Sequence, residues 1–374
     1  MKKIVDLELI VPIDSQKIFF GSYNGFQRYD IYKNKITKNI ERSMRQAFWT
    51  PEEISLIHDK ENFENLPNHV QEIIINNLLF QTLMDSAQNR GLDSIMSEIV
   101  TSSEWESVFK SQAYFELIHS LSYSHIIREM FSSDATDVFN RIYELDAIKN
   151  RVSAEIEAYG KVKDLLKKDL LTDTEENRKT ILSLLIQIYF LEGIKFYVSF
   201  LVTYIINDSY RNAIPGISKI IKLINYDEDK HVAVIGSLLN ILKKDEDEGF
   251  KDLFKKKWFE EETIKIVKKV VDEEIIWAKY LLDFGPVKSL TLNIIEEFIK
   301  YYANLRLKNI GIEPIYKINN DIEIVKWFEF YKDINKDNTA QQEQTSISYN
   351  IGTMEFDIGE KDLESLLEEI IKEK

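Results

Sequence analysis

No cysteine occurs in the 374 residues. Disulfides, thiolate zinc sites and cysteine nucleophiles are thereby excluded. Proline and glycine are scarce, at 6 and 12. With so few breakers and much Ile, Leu, Lys and Glu, the chain is expected to be mostly helical with long elements. Positive charge is short as well: 48 Lys and Arg face 63 Asp and Glu, a formal net charge of −15. No basic stripe compensates, so nucleic acid is not an expected partner. The start, MKKIVDLELIVPIDSQ, lacks the apolar core and small-residue cleavage site of a signal peptide. That makes the cytoplasm the expected location. One apolar run, residues 180–206, is long enough to cross a bilayer, but it carries Glu192 and Lys195 near its centre. It reads as the central buried helix of a large bundle, with no membrane involved.

What is present is helical periodicity over most of the chain. Residues 1–28 form an irregular arm in which VDLELIV alternates as a short strand or an extended segment would. Helical patterning covers 29–48, 68–88, 93–130, 134–170, 176–207, 217–242, 251–283 and 289–311, and VKWFEFY closes the globular part. Thr50-Pro51-Glu52-Glu53 reads as a cap followed by a first-turn proline. From about 332 to 359 the composition turns polar and weakly periodic, as in a flexible tail that runs on to 374. Its last residues differ: Leu363, Leu366, Leu367, Ile370 and Ile371 make one face of an amphipathic helix. The expected organisation is a helical domain over 1–331 and a tail over 332–374.

Histidine is scarce too, with five in all, and two of them recur in one spacing. Glu116-Leu117-Ile118-His119 and Glu228-Asp229-Lys230-His231 each put a carboxylate and an imidazole on one face of a helix. Tyr123 projects between Glu116 and His119, whereas His125 falls off that face. Asp85, after NNLLFQTLM, and Glu192, in the long apolar run, add two more carboxylates on apolar helices. Unpaired carboxylates are strongly penalised in a core, so a multivalent cation is the economical partner. Four carboxylates and two histidines from four helices is the pattern of di-iron and di-manganese carboxylate bundles. Carboxylates can bridge two metals, and neutral imidazoles suit iron and manganese. One Glu-x-x-His alone would be a solvated acid beside a hydrogen-bonded core histidine. Two copies among five histidines are poorly explained by chance.

These residues, in the runs ELIHSLSYSHIIR, FQTLMDSAQNRG, LEGIKFYVSF, NYDEDKH and FWTPEEI, resemble the small, radical-generating subunit of class I ribonucleotide reductase, most closely class Ia. The resemblance runs from about residue 19 to 349. It implies an all-α, ferritin-like di-metal carboxylate bundle with extra helices and a flexible C-terminal tail. It implies two iron ions per chain, or manganese, with Asp85, Glu116 and His119 on one and Glu192, Glu228 and His231 on the other. Tyr123 would be oxidised to a stable radical after the reduced centre meets dioxygen, inside an apolar pocket of Phe196, Phe200 and Ile224. Trp49, Asp227, Glu343 and Tyr349 match the family's radical-transfer residues. The implied partners are a second copy of the chain and a large catalytic subunit bound through the tail, where the ribonucleotide-reducing thiols must reside. Three runs depart from the family: QAYF replaces a tryptophan-containing run, Tyr226 stands where arginine is common, and DLESLLEEIIKEK replaces a shorter acidic end. The rival readings are another di-metal oxidase or desaturase without radical export, and a metal-free helical scaffold.

Overall fold

The computed structural model describes residues 4–318 and 322–334. Glu343, Tyr349 and the amphipathic segment near the C-terminus lie outside the described residues. The longer helices are α1 (Lys35–Gln46), α2 (Asn68–Gly91), α3 (Ser103–Phe131), α4 (Asp146–Lys167), α5 (Glu175–Phe190), α6 (Tyr197–Ser209), α7 (Pro215–Lys244), α8 (Lys257–Asp283), α9 (Leu292–Asn309) and α10 (Glu323–Lys332). Among the described residues there is no β-strand, only an isolated bridge between Phe19 and Val100. The VDLELIV segment forms no strand and bends at Leu7 and Glu8. The all-helical class read from the sequence is therefore what the chain adopts.

The layout follows the apolar periodicity. α2 packs most extensively on α3, and α7 crosses α3, α5 and α6, so Asp85, Glu116 and Glu228 reach one interior from three helices. α5 and α6 form one 35-residue rod, of whose most apolar window 94% is buried. It is the core helix expected from its central charges. Two π-helical turns, Leu92–Met96 after α2 and Leu191–Lys195 between α5 and α6, widen the helices next to the interior. Such turns re-aim side chains and recur at functional sites.

Helix starts show how distant residues trim the sequence pattern. The first helix begins at Lys35 and not near 29, because the Lys33 and Asn34 backbone N–H groups donate to the buried Glu104 carboxylate of α3. The patterning over 134–170 is interrupted: a short helix ends at Asn140 and α4 begins at Asp146. α7 has Pro215 at its first position, and Asp59 accepts from the N–H groups of Gly216 (2.9 Å) and Ile217 (2.7 Å). Those donors would otherwise be orphaned at the helix start. Gly216 is required there, since a Cβ would sit 2.4 Å from the Ser55 carbonyl oxygen.

Candidate metal centre

Four elements deliver the candidate ligands. α2 supplies Asp85, α3 supplies Glu116 and His119, the π turn Leu191–Lys195 supplies Glu192, and α7 supplies Glu228 and His231. Asp85, Glu116, His119 and Glu228 form one group, and Glu116, Glu192, Glu228 and His231 a second. Within each group one donor atom per residue lies within 4.8 Å of the others. Glu116 and Glu228 belong to both, as bridging carboxylates would.

Both imidazoles present Nδ1 to the interior. His119 Nδ1 is 3.2 Å from Glu228 Oε1, 3.5 Å from Glu116 Oε2 and 3.8 Å from Asp85 Oδ2. His231 Nδ1 is 3.0 Å from Glu228 Oε2, 3.1 Å from Glu116 Oε1 and 4.0 Å from Glu192 Oε2. All six side chains are buried. Both oxygens of Asp85 and of Glu116, Glu192 Oε2, Glu228 Oε1 and His119 Nδ1 have no hydrogen-bond partner. So many converging unpartnered polar atoms are expensive in a core, and their oxygen and imidazole character fits a pair of divalent iron or manganese ions.

Electrostatics point the same way. Burial raises the Asp85 and Glu192 carboxyls well above the usual range, and the neighbouring Glu116 and Glu228 raise them further. Burial by itself would lower both histidines. Asp227, Glu116 and Glu228 outweigh it at His119, and Glu116 and Glu228 take His231 up to about 9. Burial also pushes Glu228 up, but the two imidazoles more than reverse this and hold it low. Without metal, protons supply the positive charge that cations would otherwise bring.

Tyr123 is fully buried one turn beyond His119, and its hydroxyl has no hydrogen-bond partner. Burial and then the Asp85 charge hold its proton on strongly. On the other side of His119 a connected path leads away. The Trp49 indole N–H donates to Asp227 Oδ2 at 2.7 Å, and the same oxygen is 3.4 Å from His119 Nε2. Burial would raise Asp227, but Lys230, His119 and Trp49 together lower it. The Trp49 and His119 rings lie 6.4 Å apart at 26°. Phe196 and Phe200 are buried and stacked at 5.7 Å, and Ile224 is buried one turn before Glu228.

Sequence reasoning missed four polar residues here. Gln88 and Gln112 both donate to Glu192 Oε1, at 2.5 and 2.7 Å, and the Tyr159 hydroxyl donates to Gln88 Oε1 at 2.9 Å. Gln112 opens the QAYF run, so that departure puts an amide on a candidate ligand. Lys230 donates to Asp227 Oδ1 at 3.0 Å and lies 3.5 Å over the Tyr226 ring. A cation thus reaches Asp227 from position 230, three residues on, with an aromatic ring at 226. The one available signal was helical spacing: Gln88 is three residues past Asp85, Gln112 four before Glu116, and Lys230 three past Asp227.

Comparison with known proteins places the chain among its relatives. The family model described as "Ribonucleotide reductase, small chain" matches residues 26–322. The ribonucleoside-diphosphate reductase subunit beta of Buchnera aphidicola subsp. Baizongia pistaciae is 32% identical over 364 residues, covering 93% of this chain and 95% of that protein. The subunit beta of Enterobacteria phage T4 is 30% identical over 382 residues, covering 94% and 96%. Among solved structures, the ribonucleotide reductase R2 subunit from Clostridium botulinum superposes with a TM-score of 0.77 at 25% identity, over 89% of this chain and 98% of that one. The dimanganese(II)-NrdF of Streptococcus sanguinis shares the fold, with a TM-score of 0.63 at 21% identity over 82% and 99%.

Proposed function

Because this chain belongs to the family of ribonucleotide reductase small chains and is the small subunit of a ribonucleoside-diphosphate reductase, we propose that its two carboxylate–histidine groups hold two iron ions, or manganese, and serve to make and store a radical on Tyr123. The observation that carries this reading is the sharing of Glu116 and Glu228 by both groups, with the unpartnered Tyr123 hydroxyl beside Asp85. The metal pair, when bound, supplies the capacity to activate dioxygen. The residues of the chain do the rest.

Asp85, Glu116 and His119 bind one ion and Glu192, Glu228 and His231 the other. Tyr123 would give up one electron to dioxygen activated at the metal pair, and its phenolic proton to the neighbouring Asp85 carboxylate. Phe196, Phe200 and Ile224 keep water from the oxidised ring. Asp227 and Trp49 carry the oxidising equivalent outward, supported by their 2.7 Å hydrogen bond. Glu343 and Tyr349 continue that route in the tail towards the large catalytic subunit, where ribonucleotides become deoxyribonucleotides. The absence of cysteine agrees with this division, since the reducing thiols must come from the other chain. The Trp49–Asp227–His119 connection favours this reading over an oxidase or desaturase without radical export.

The working form is a homodimer in the cytoplasm. Tyr114, Leu117 and Leu121 are exposed on α3 with Phe48 stacked on Tyr114 at 6.2 Å, an apolar stripe suited to a second copy. The decisive experiment adds ferrous iron and oxygen to the metal-free protein and records the electron paramagnetic resonance spectrum. A tyrosyl doublet is expected in the wild type and none in Tyr123→Phe. A doublet that persists in that variant overturns the assignment.

A further inference from the structure

The π turn Leu191–Lys195 carries Glu192, and a helix widened in this way takes backbone carbonyls out of the regular ladder. Two buried arginines from other helices meet those carbonyls. Arg306 of α9 donates from Nε to the Gly193 carbonyl at 3.3 Å, and from Nη2 to the Tyr197 hydroxyl at 2.6 Å. Arg151 of α4 donates from Nη2 to the Lys195 carbonyl at 2.6 Å, and Lys195 Nζ returns a bond to the Arg151 carbonyl at 2.8 Å. Arg151 is itself fixed by an ion pair with Glu274 and by the faces of Phe80 at 3.7 Å and Trp277 at 4.8 Å. Gly193 is what admits Arg306, because a Cβ there would stand 2.8 Å from its Nε and 3.1 Å from its Cδ.

We infer that Arg151 and Arg306 are positioning residues that clamp the π turn at its third and fifth residues, Gly193 and Lys195, and so set where the adjoining Glu192 stands, governing one metal position and not the other. Glu192 belongs only to the second ligand group. Asp85, Glu116, His119 and Glu228 of the first group lie on α2, α3 and α7. Arg306 approaches α7 at Asp229, 3.9 Å away, and that carboxylate keeps Lys332 at 2.8 Å and the Tyr197 hydroxyl at 3.1 Å without it. At the far end of the side chain, Gln88 and Gln112 hold Oε1, so Oε2 can meet an ion only if the backbone behind it is held too. The inference rests on the proposed two-ion reading of the site.

The test titrates full-length, metal-free protein with manganous ion under anaerobic conditions and counts free ion by its paramagnetic resonance signal. Wild type is expected to bind two ions per chain. Arg306→Met removes the donor, and Gly193→Ala displaces the guanidinium while leaving every charge in place. Each variant is expected to bind the first ion as wild type does and the second about tenfold or more weakly, the range for lost supporting contacts at metal sites. If Arg306→Met does not fold, Gly193→Ala carries the test alone. Two ions bound at wild-type affinity, or both positions weakened together, overturns the clamp. A wild type that binds no manganese overturns the two-ion reading on which the clamp depends.

Discussion

Each side chain of the candidate centre is stable in the core only through what surrounds it, and that has measurable consequences for pH. In the metal-free protein His231 keeps its proton up to about pH 9 against 6.5 for a free imidazole. Its contribution to stability is complete below 6.5 and is lost as pH rises through 9. His119, Asp85 and Glu192 are raised too and act in the same direction, while the depressed Glu228 is ionised throughout this window. Thermal melts of metal-free protein should therefore show a loss of a few kcal/mol between pH 6.5 and 9, which metal-loaded protein should lack. Metal uptake expels these protons, so apparent affinity should climb with pH and a weakly buffered titration should acidify. Trp49→Phe removes the indole donor but leaves Asp227 with Lys230 and His119. Metal content should stay at the wild-type level and stability fall by about 1–2 kcal/mol, with turnover in the presence of the large subunit nearly abolished. Metal analysis beside a turnover assay separates these effects.

Among the elements, the π turn is the one whose surroundings were least readable in advance. Lys195 was informative only as a charge that made a membrane span implausible. In the fold its ammonium lies 2.7 Å from both Glu155 on α4 and Glu273 on α8, so it ties three helices together behind Glu192. Lys195→Met would leave the buried Glu155 carboxylate with Gln187 alone and the half-buried Glu273 with Lys269 at 3.8 Å, and a loss of about 3 kcal/mol is expected in chemical denaturation. Both Glu-x-x-His pairs, by contrast, were legible because ligands three residues apart on one helix are neighbours by geometry alone. Helix starts were less so. Nothing near residue 29 announces that Glu104, some seventy positions later, takes the first N–H groups ahead of α1.

For the whole molecule, the expected assembly divides into two surfaces. The α3 stripe belongs to the described helical part, whereas the proposed arm for the large subunit lies in the tail. A protein truncated after residue 361 should still sediment as a dimer and load metal, yet fail to bind the large subunit in a pull-down. Retained binding would sink the tail's role. The sequence by itself determined the helical class, the exclusion of thiol chemistry and the candidate ligands, because helical period and the scarcity of histidine are local, countable properties. Only the tertiary structure decided what stands behind those ligands: the two glutamines on Glu192, Lys230 on Asp227, and the arginines on the π turn. Contacts between helices far apart in sequence are chosen by packing, and glutamine, lysine and arginine are too common on helices for periodicity to single them out. Buried carbonyls and carboxylates must find donors from whichever helix packing brings alongside, and that choice exists only once the chain has folded.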